Sequence, residues 1–171
     1  IFLSSIFYFQ LLSSQGSTAD TLTIHPIAFS TPSPEGWNAQ YKTIVPFPIT
    51  EERWAKILMM QTLKCDSLTV GDKYPCGEWD YIWSTFVDVP KGDSTEQFCL
   101  GSFVTPYGKR LEMGDETGWE WVYDISEYAP ILKGDLNLQV GNNQELLDLK
   151  FHFIKGTPPR DVIAVKNIYP Y

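Results

Sequence analysis

Tyr81-Ile82-Trp83-Ser84-Thr85-Phe86-Val87-Asp88-Val89 is the clearest strand in the chain, and its reading decides the fold. Successive side chains of a strand point to opposite faces, so Tyr81, Trp83, Thr85, Val87 and Val89 share one face while Ile82, Ser84, Phe86 and Asp88 share the other. Apolar residues on both faces predict a central strand, covered on each side at least in part. Pro90-Lys91-Gly92-Asp93-Ser94 then turns the chain, and residues 97–105 return as the hairpin partner.

The same period of two recurs on either side. Residues 21–29 read as a strand placed at a sheet edge by Pro26, which cannot donate to a ladder. Residues 41–47 form a second extended segment, ended by Pro48. Thr50-Glu51-Glu52-Arg53-Trp54 reads as one helical turn with Thr50 as its cap. Residues 55–64, with Ile57-Leu58-Met59-Met60, fit a strand better than a short helix because they run into a turn-rich loop. Further on, Trp119, Trp121, Tyr123 and Ile125 share one side, residues 126–132 turn helically before Lys133-Gly134, and Leu136, Leu138 and Val140 alternate again. Leu147, Leu149, Phe151 and Phe153 do the same, and residues 162–168 read as a final strand. Eight or nine short strands between turns predict an all-β antiparallel β-sandwich.

Composition agrees. The 171 residues suffice for one domain with a sizeable core, and 15% aromatic, 20% charged, 12 Gly and 12 Pro suit strands and turns rather than a helical bundle. A net charge of −8, from 13 basic and 21 acidic residues, repels polyphosphate, so nucleic acid is not an expected partner. Residues 1–12 are mostly apolar and 13–19 small and polar, the pattern of the hydrophobic and cleavage regions of a secretory signal. The apolar run is too short for a membrane span, which needs about 20 residues. The expectation is a leader remnant over 1–19, a folded domain over 20–171, and a secreted or periplasmic protein.

The three cysteines fit export. Joining Cys65 to Cys76 closes a loop of about 12 residues and stabilises by roughly 2–3 kcal/mol in the chain-entropy model. Neither belongs to a Cys-x-x-Cys pair and no His lies nearby, so zinc is disfavoured. Cys99 reads as a buried free thiol.

Cys76-Gly77-Glu78-Trp79-Asp80 runs straight into the central strand. A carboxylate beside an indole at a strand end is partly desolvated, which raises its pKa toward proton-transfer work. Asp80 is therefore the leading catalytic candidate, against the plainer role of capping a tight turn. Glu78 has the weaker case, that of an exposed turn residue. Trp79 and Trp83 are core residues first, although an indole also suits the apolar C–H face of a sugar. His25 and His152, the only histidines, stand at opposite ends of the chain and read as structural. No metal or cofactor is expected. Glu112, Asp115, Glu116 and Glu120 form an acidic run that faces water.

Cys76-Gly77-Glu78-Trp79-Asp80 resembles the Cys-x-Glu-Trp-Asp motif of the N-terminal domain of the peptide-N-glycosidase F family. Gly101-Ser102-Phe103-Val104-Thr105-Pro106-Tyr107 is similar to that family's Gly-x-Phe-Ile-Thr-Pro-Tyr segment, Trp121-Val122-Tyr123-Asp124-Ile125-Ser126 to its Asp-Val-Thr strand, and Gly156-Thr157-Pro158 to its Gly-Thr-Pro turn. The likeness spans roughly residues 38–170. It implies a jelly-roll β-sandwich, the first of two in such an enzyme, and hydrolysis of the amide between Asn and the first N-acetylglucosamine of an N-linked glycan. The resemblance puts the principal catalytic Asp at Asp80 and the supporting disulfide at Cys65–Cys76, with Trp79, Glu78, Tyr81 and Tyr107 on the substrate side. The implied partners are an N-glycosylated protein or glycopeptide and a second jelly roll. Tyr81 stands where the family has Arg, Gly108 where it has Trp, and Asn143 near its second functional Glu, with Glu145 the nearest carboxylate. These departures keep open a second reading, a non-catalytic glycan- or protein-binding module.

Overall fold

The computed structural model describes residues 20–36, 38–66, 82–105, 118–141 and 145–168. These form eight strands and one 3-10 turn: β1 (Thr21–Ile27), β2 (Tyr41–Phe47), β3 (Trp54–Cys65), β4 (Ile82–Lys91), β5 (Ser94–Val104), β6 (Trp119–Asp124), the turn Ser126–Tyr128, β7 (Gly134–Val140) and β8 (Glu145–Lys155). Two four-stranded sheets result, sheet A in the order β1-β8-β3-β6 and sheet B in the order β2-β7-β4-β5.

The topology is a long hairpin rolled up. It folds back at the β4–β5 turn, where Gly92 takes a φ of 61° that other residues resist. From there β4 pairs with β5, β3 with β6, β2 with β7 and β1 with β8, all antiparallel and alternating between sheets B and A. The β3–β8 and β4–β7 pairings then seal each sheet. This is the jelly-roll sandwich, and β4 is an interior strand as its sequence predicts.

The inward residues follow the period of two. Ile57, Met59 and Leu63 of β3, Trp83 and Val87 of β4, Leu136, Leu138 and Val140 of β7, and Leu147, Leu149, Phe151 and Phe153 of β8 form one shared core. Each such side chain contributes about 2 kcal/mol through removal from water. The Nε2 of Gln61 donates to Oγ1 of Thr85 at 2.6 Å, joining the sheets by a hydrogen bond inside that core. At the sandwich side, edge strands β5 and β6 are closed by stacked rings. Phe103 lies 4.1 Å from Trp121 at 15° and 6.2 Å from Trp83 at 11°.

Several expectations need correction. Thr50 to Trp54 is not helical. The Thr50 hydroxyl accepts from the Glu52 N–H at 3.1 Å, but Trp54 already begins β3 and packs edge-on against Phe153 at 5.2 Å. Residues 162–168 form no strand. They run as a strap, held by the Arg53–Asp161 and Arg160–Glu127 ion pairs, by Val165 against the core, and by the Asn167 side chain donating to the Gln97 carbonyl at 2.8 Å. Cys99 is a free thiol but only half-buried. The two histidines, far apart in sequence, both lie on the outer face of sheet A. There His25 Nε2 bonds Asp148 at 2.8 Å and His152 Nδ1 bonds the Thr23 hydroxyl at 2.9 Å. Both fasten edge strand β1, which is interrupted by a register shift at Pro26 as a residue without N–H requires. That matches their structural reading.

Candidate functional site at the loop end

Strand direction fixes where function can gather. β3 ends at Cys65, β5 at Val104 and β7 at Val140, while β2 begins at Tyr41, β4 at Ile82, β6 at Trp119 and β8 at Glu145. All of these termini lie at one end of the sandwich, together with the end of β1, as the registers Tyr41↔Val140, Ile82↔Val104, Leu63↔Trp119 and Cys65↔Glu145 require. Cys76, Glu78, Trp79, Asp80 and Tyr81, in the β3–β4 connection, lie outside the described residues. So do Tyr107, Gly108, Asn143 and three of the four acidic residues of the 112–120 run. The remaining one, Glu120, is exposed as expected.

What is described is the floor beneath those connections. Trp83 is fully buried, and its ring leaves no room above it: a Cβ added to Gly141 would sit 2.0 Å from the indole. Gly118 is similarly pressed on β3, where a Cβ would lie 2.4 Å from the Leu63 carbonyl oxygen. Both glycines hold positive φ, 69° at Gly118 and 70° at Gly141. Thr105, inside the Gly101-Ser102-Phe103-Val104-Thr105-Pro106-Tyr107 segment, is buried. Asp66, the residue after β3, accepts from the Ser33 hydroxyl at 2.5 Å, and the Lys64 ammonium sits 5.7 Å above the Phe29 ring, so the β1–β2 connection is tied to the same end. Trp119 is 45% exposed there, tilted 38° to Trp121.

The unexpected member is Glu145. It opens β8 on the core-facing side, one step before Leu147, and is 0% exposed. Neither carboxylate oxygen has a hydrogen-bond partner among the described residues, and the indole nitrogen of Trp83 is buried unpartnered as well. Burial alone pushes the Glu145 carboxyl up to about 8, so the neutral acid predominates at pH 7. Its backbone carbonyl accepts from the Tyr41 hydroxyl at 2.8 Å. The Tyr41 hydroxyl is itself held well above its ordinary value, first by burial and then by the charges of Asp66 and Glu145. The signal for Glu145 was in the sequence: it continues the Leu147, Leu149, Phe151, Phe153 alternation by one step toward the loop end.

Chemically, this end offers buried acid, indole and phenol groups under four connections. Among the described residues no cluster of three or more His, Cys, Asp or Glu could hold a metal ion, and no helix is long and apolar enough to cross a membrane.

No protein-family model matches the chain, and no curated protein matches it. Solved structures do. One described as recombinant peptide: N-glycanase F (PNGase F) superimposes with a TM-score of 0.59 at 21% identity, over 82% of this chain and 43% of that one. A structure of PNGase F, a glycosylasparaginase from Flavobacterium meningosepticum, gives a TM-score of 0.59 at 21% identity, over 81% of this chain and 43% of that one. The chain thus spans less than half the length of these structures. Over most of its own length it has their fold, a PNGase F-like antiparallel β-sandwich.

Proposed function

We propose that this chain is the first domain of a secreted glycoamidase that hydrolyses the Asn–N-acetylglucosamine amide of N-linked glycans. The observation that carries the reading is the coincidence of two independent signs. The fold is that of the structures named N-glycanase F and glycosylasparaginase, and the Cys76-Gly77-Glu78-Trp79-Asp80 stretch belongs to the connection that enters the buried Trp83 strand at the loop end.

In this reading Asp80 exchanges a proton with the scissile amide or orients the attacking water. Water oxygen bonds to the amide carbon, the C–N bond breaks, and the departing nitrogen takes a proton. The Asn side chain becomes Asp and the glycan leaves as a glycosylamine. Trp79, Glu78, Tyr81 and Tyr107 shape the pocket, and a Cys65–Cys76 disulfide braces the connection. A second jelly roll completes the cleft, so the chain alone is inactive. With the full-length protein, Asp80→Asn abolishes glycan release from a denatured glycoprotein, and undiminished release in that variant would sink the assignment.

Tyr81, Gly108 and Asn143 favour a second reading, a glycan- or protein-binding module without chemistry. It predicts retained glycan binding and no release from wild-type full-length protein under any condition.

A further inference from the structure

The outer face of sheet B differs in kind from that of sheet A. On sheet A, ion pairs cover the face: Asp148 holds His25 at 2.8 Å and Lys150 at 2.7 Å, and Lys56 meets Asp124 at 3.3 Å. On sheet B, one row of outward side chains crosses all four strands in direct register, Ile44 beside Asn137, Asn137 beside Asp88, and Asp88 beside Gln97. The next row places Gln139 between Lys42 and Phe86. Asp88 sits at the centre of the amides. Gln97 Nε2 donates to its Oδ1 at 3.0 Å and Gln139 Nε2 to its Oδ2 at 3.4 Å. An open depression of about 360 Å³ lies over this patch, lined by Lys42, Ile44, Asp88, Asn137 and Gln139 among others.

We propose that this face is a binding site for a neutral oligosaccharide, separate from the loop end. The chemistry of the row sets the occupant. With its carboxylate engaged by two amide NH2 groups, the patch presents amide carbonyls and amide hydrogens side by side, the complement of hydroxyls that both give and accept. Asp88 fixes the two glutamine amides in place, so less side-chain freedom is lost on binding. Ile44, 63% exposed and lining the depression, supplies the apolar surface that a pyranose C–H face needs. Strands spaced about 4.8 Å apart make the four-residue row about 14 Å long, room for a short oligosaccharide rather than a single sugar. An anionic polymer is opposed by the chain's charge of −8.

This inference does not rest on the glycoamidase reading. The test is an amide-resolved NMR titration of the chain with two probes, chitohexaose and a free mannose-rich oligosaccharide, which separate a chitin-like source from an N-glycan arm. At millimolar ligand, one or both probes shift the backbone signals of Asn137, Gln139, Asp88 and Gln97. Asn137→Ala and Gln139→Ala each weaken binding about tenfold while the thermal midpoint holds, because both side chains point outward. Asp80→Asn leaves this binding unchanged even where it abolishes hydrolysis by the full-length protein. Shifts confined to the loop end, no shift with either probe, or full affinity in both alanine variants overturns the proposal. So does a concentration-dependent dimer lost in Asn137→Ala, which gives the face to a second copy of the chain.

Discussion

The Tyr41 hydroxyl donates to the Glu145 main-chain carbonyl at 2.8 Å, joining strands of opposite sheets that lie 104 residues apart in sequence. The bond pins the start of β8, and the Glu145 side chain is held in the core beside it. Unfolded, this carboxyl releases its proton near the ordinary value of 4.5, whereas folded it keeps the proton to about 8. Between those values the folded state binds more protons than the unfolded one. Stability therefore falls as pH climbs from about 4.5 to about 8 and levels off beyond, a loss on the order of a few kcal/mol from this group. Chemical denaturation across that range checks the slope. Glu145→Gln flattens it and raises stability at pH 8; an unchanged slope in the variant would exclude Glu145 as its source.

Gly141→Ala places a methyl carbon 2.0 Å from the Trp83 ring at a φ of 70°. Neither the backbone nor the fully buried indole has room to yield. The expected cost is about 3 kcal/mol, from overpacking plus left-handed strain, read as a lower urea midpoint with a shifted Trp emission. A loss below about 0.5 kcal/mol contradicts this close packing of Gly141 on Trp83.

Thr85→Val removes the acceptor of the Gln61 amide and leaves a buried NH2 group facing a methyl, with only the weaker Met59 sulfur contact at 3.4 Å. It costs about 2 kcal/mol, whereas Gln61→Leu combined with Thr85→Val comes close to neutral. A double-mutant cycle in urea measures the difference. Additive single and double effects would show that the inter-sheet bond contributes nothing.

Phe103→Ala opens the stacked seam between β5 and β6, removing the ring held 4.1 Å from Trp121. The expected cost is about 3 kcal/mol, with greater exposure of Trp121 to an aqueous quencher. Phe103→Leu restores part of the stability but not the ring stacking, so quenching stays high. Equal quenching in wild type and both variants would rule the seam out.

Much of the fold was legible because the core-facing alternation is strong. Trp83, Thr85 and Val87, or Leu147 to Phe153, admit one register only. The errors fall where local chemistry and distant packing disagree. Thr50 does bind the Glu52 N–H as a cap binds, yet Trp54 is needed against Phe153, so the chain extends instead of coiling. Val162 to Ile168 has strand-like residues but finds no strand to pair with, and Asn167 reaches the Gln97 carbonyl from a strap. Glu145 was visible as a position on the apolar face. Its isolation was not, because the tyrosine that fixes its backbone belongs to a strand 104 residues away. The amide row was hidden for the same reason: Ile44, Asn137, Asp88 and Gln97 become neighbours only once the hairpin is rolled.

The nested pairing has a bearing on how the protein is made. The outermost rung joins β1 to β8, and the Thr23–His152 hydrogen bond spans 129 residues. On the ribosome, β1 waits as an unpaired edge until β8 emerges, while the β4–β5 hairpin forms from local contacts. Assembly of this sandwich therefore starts at the β4–β5 hairpin and closes at the β1–β8 rung. During that wait β1 is shielded by its own Pro26, which denies an intruding strand a continuous ladder.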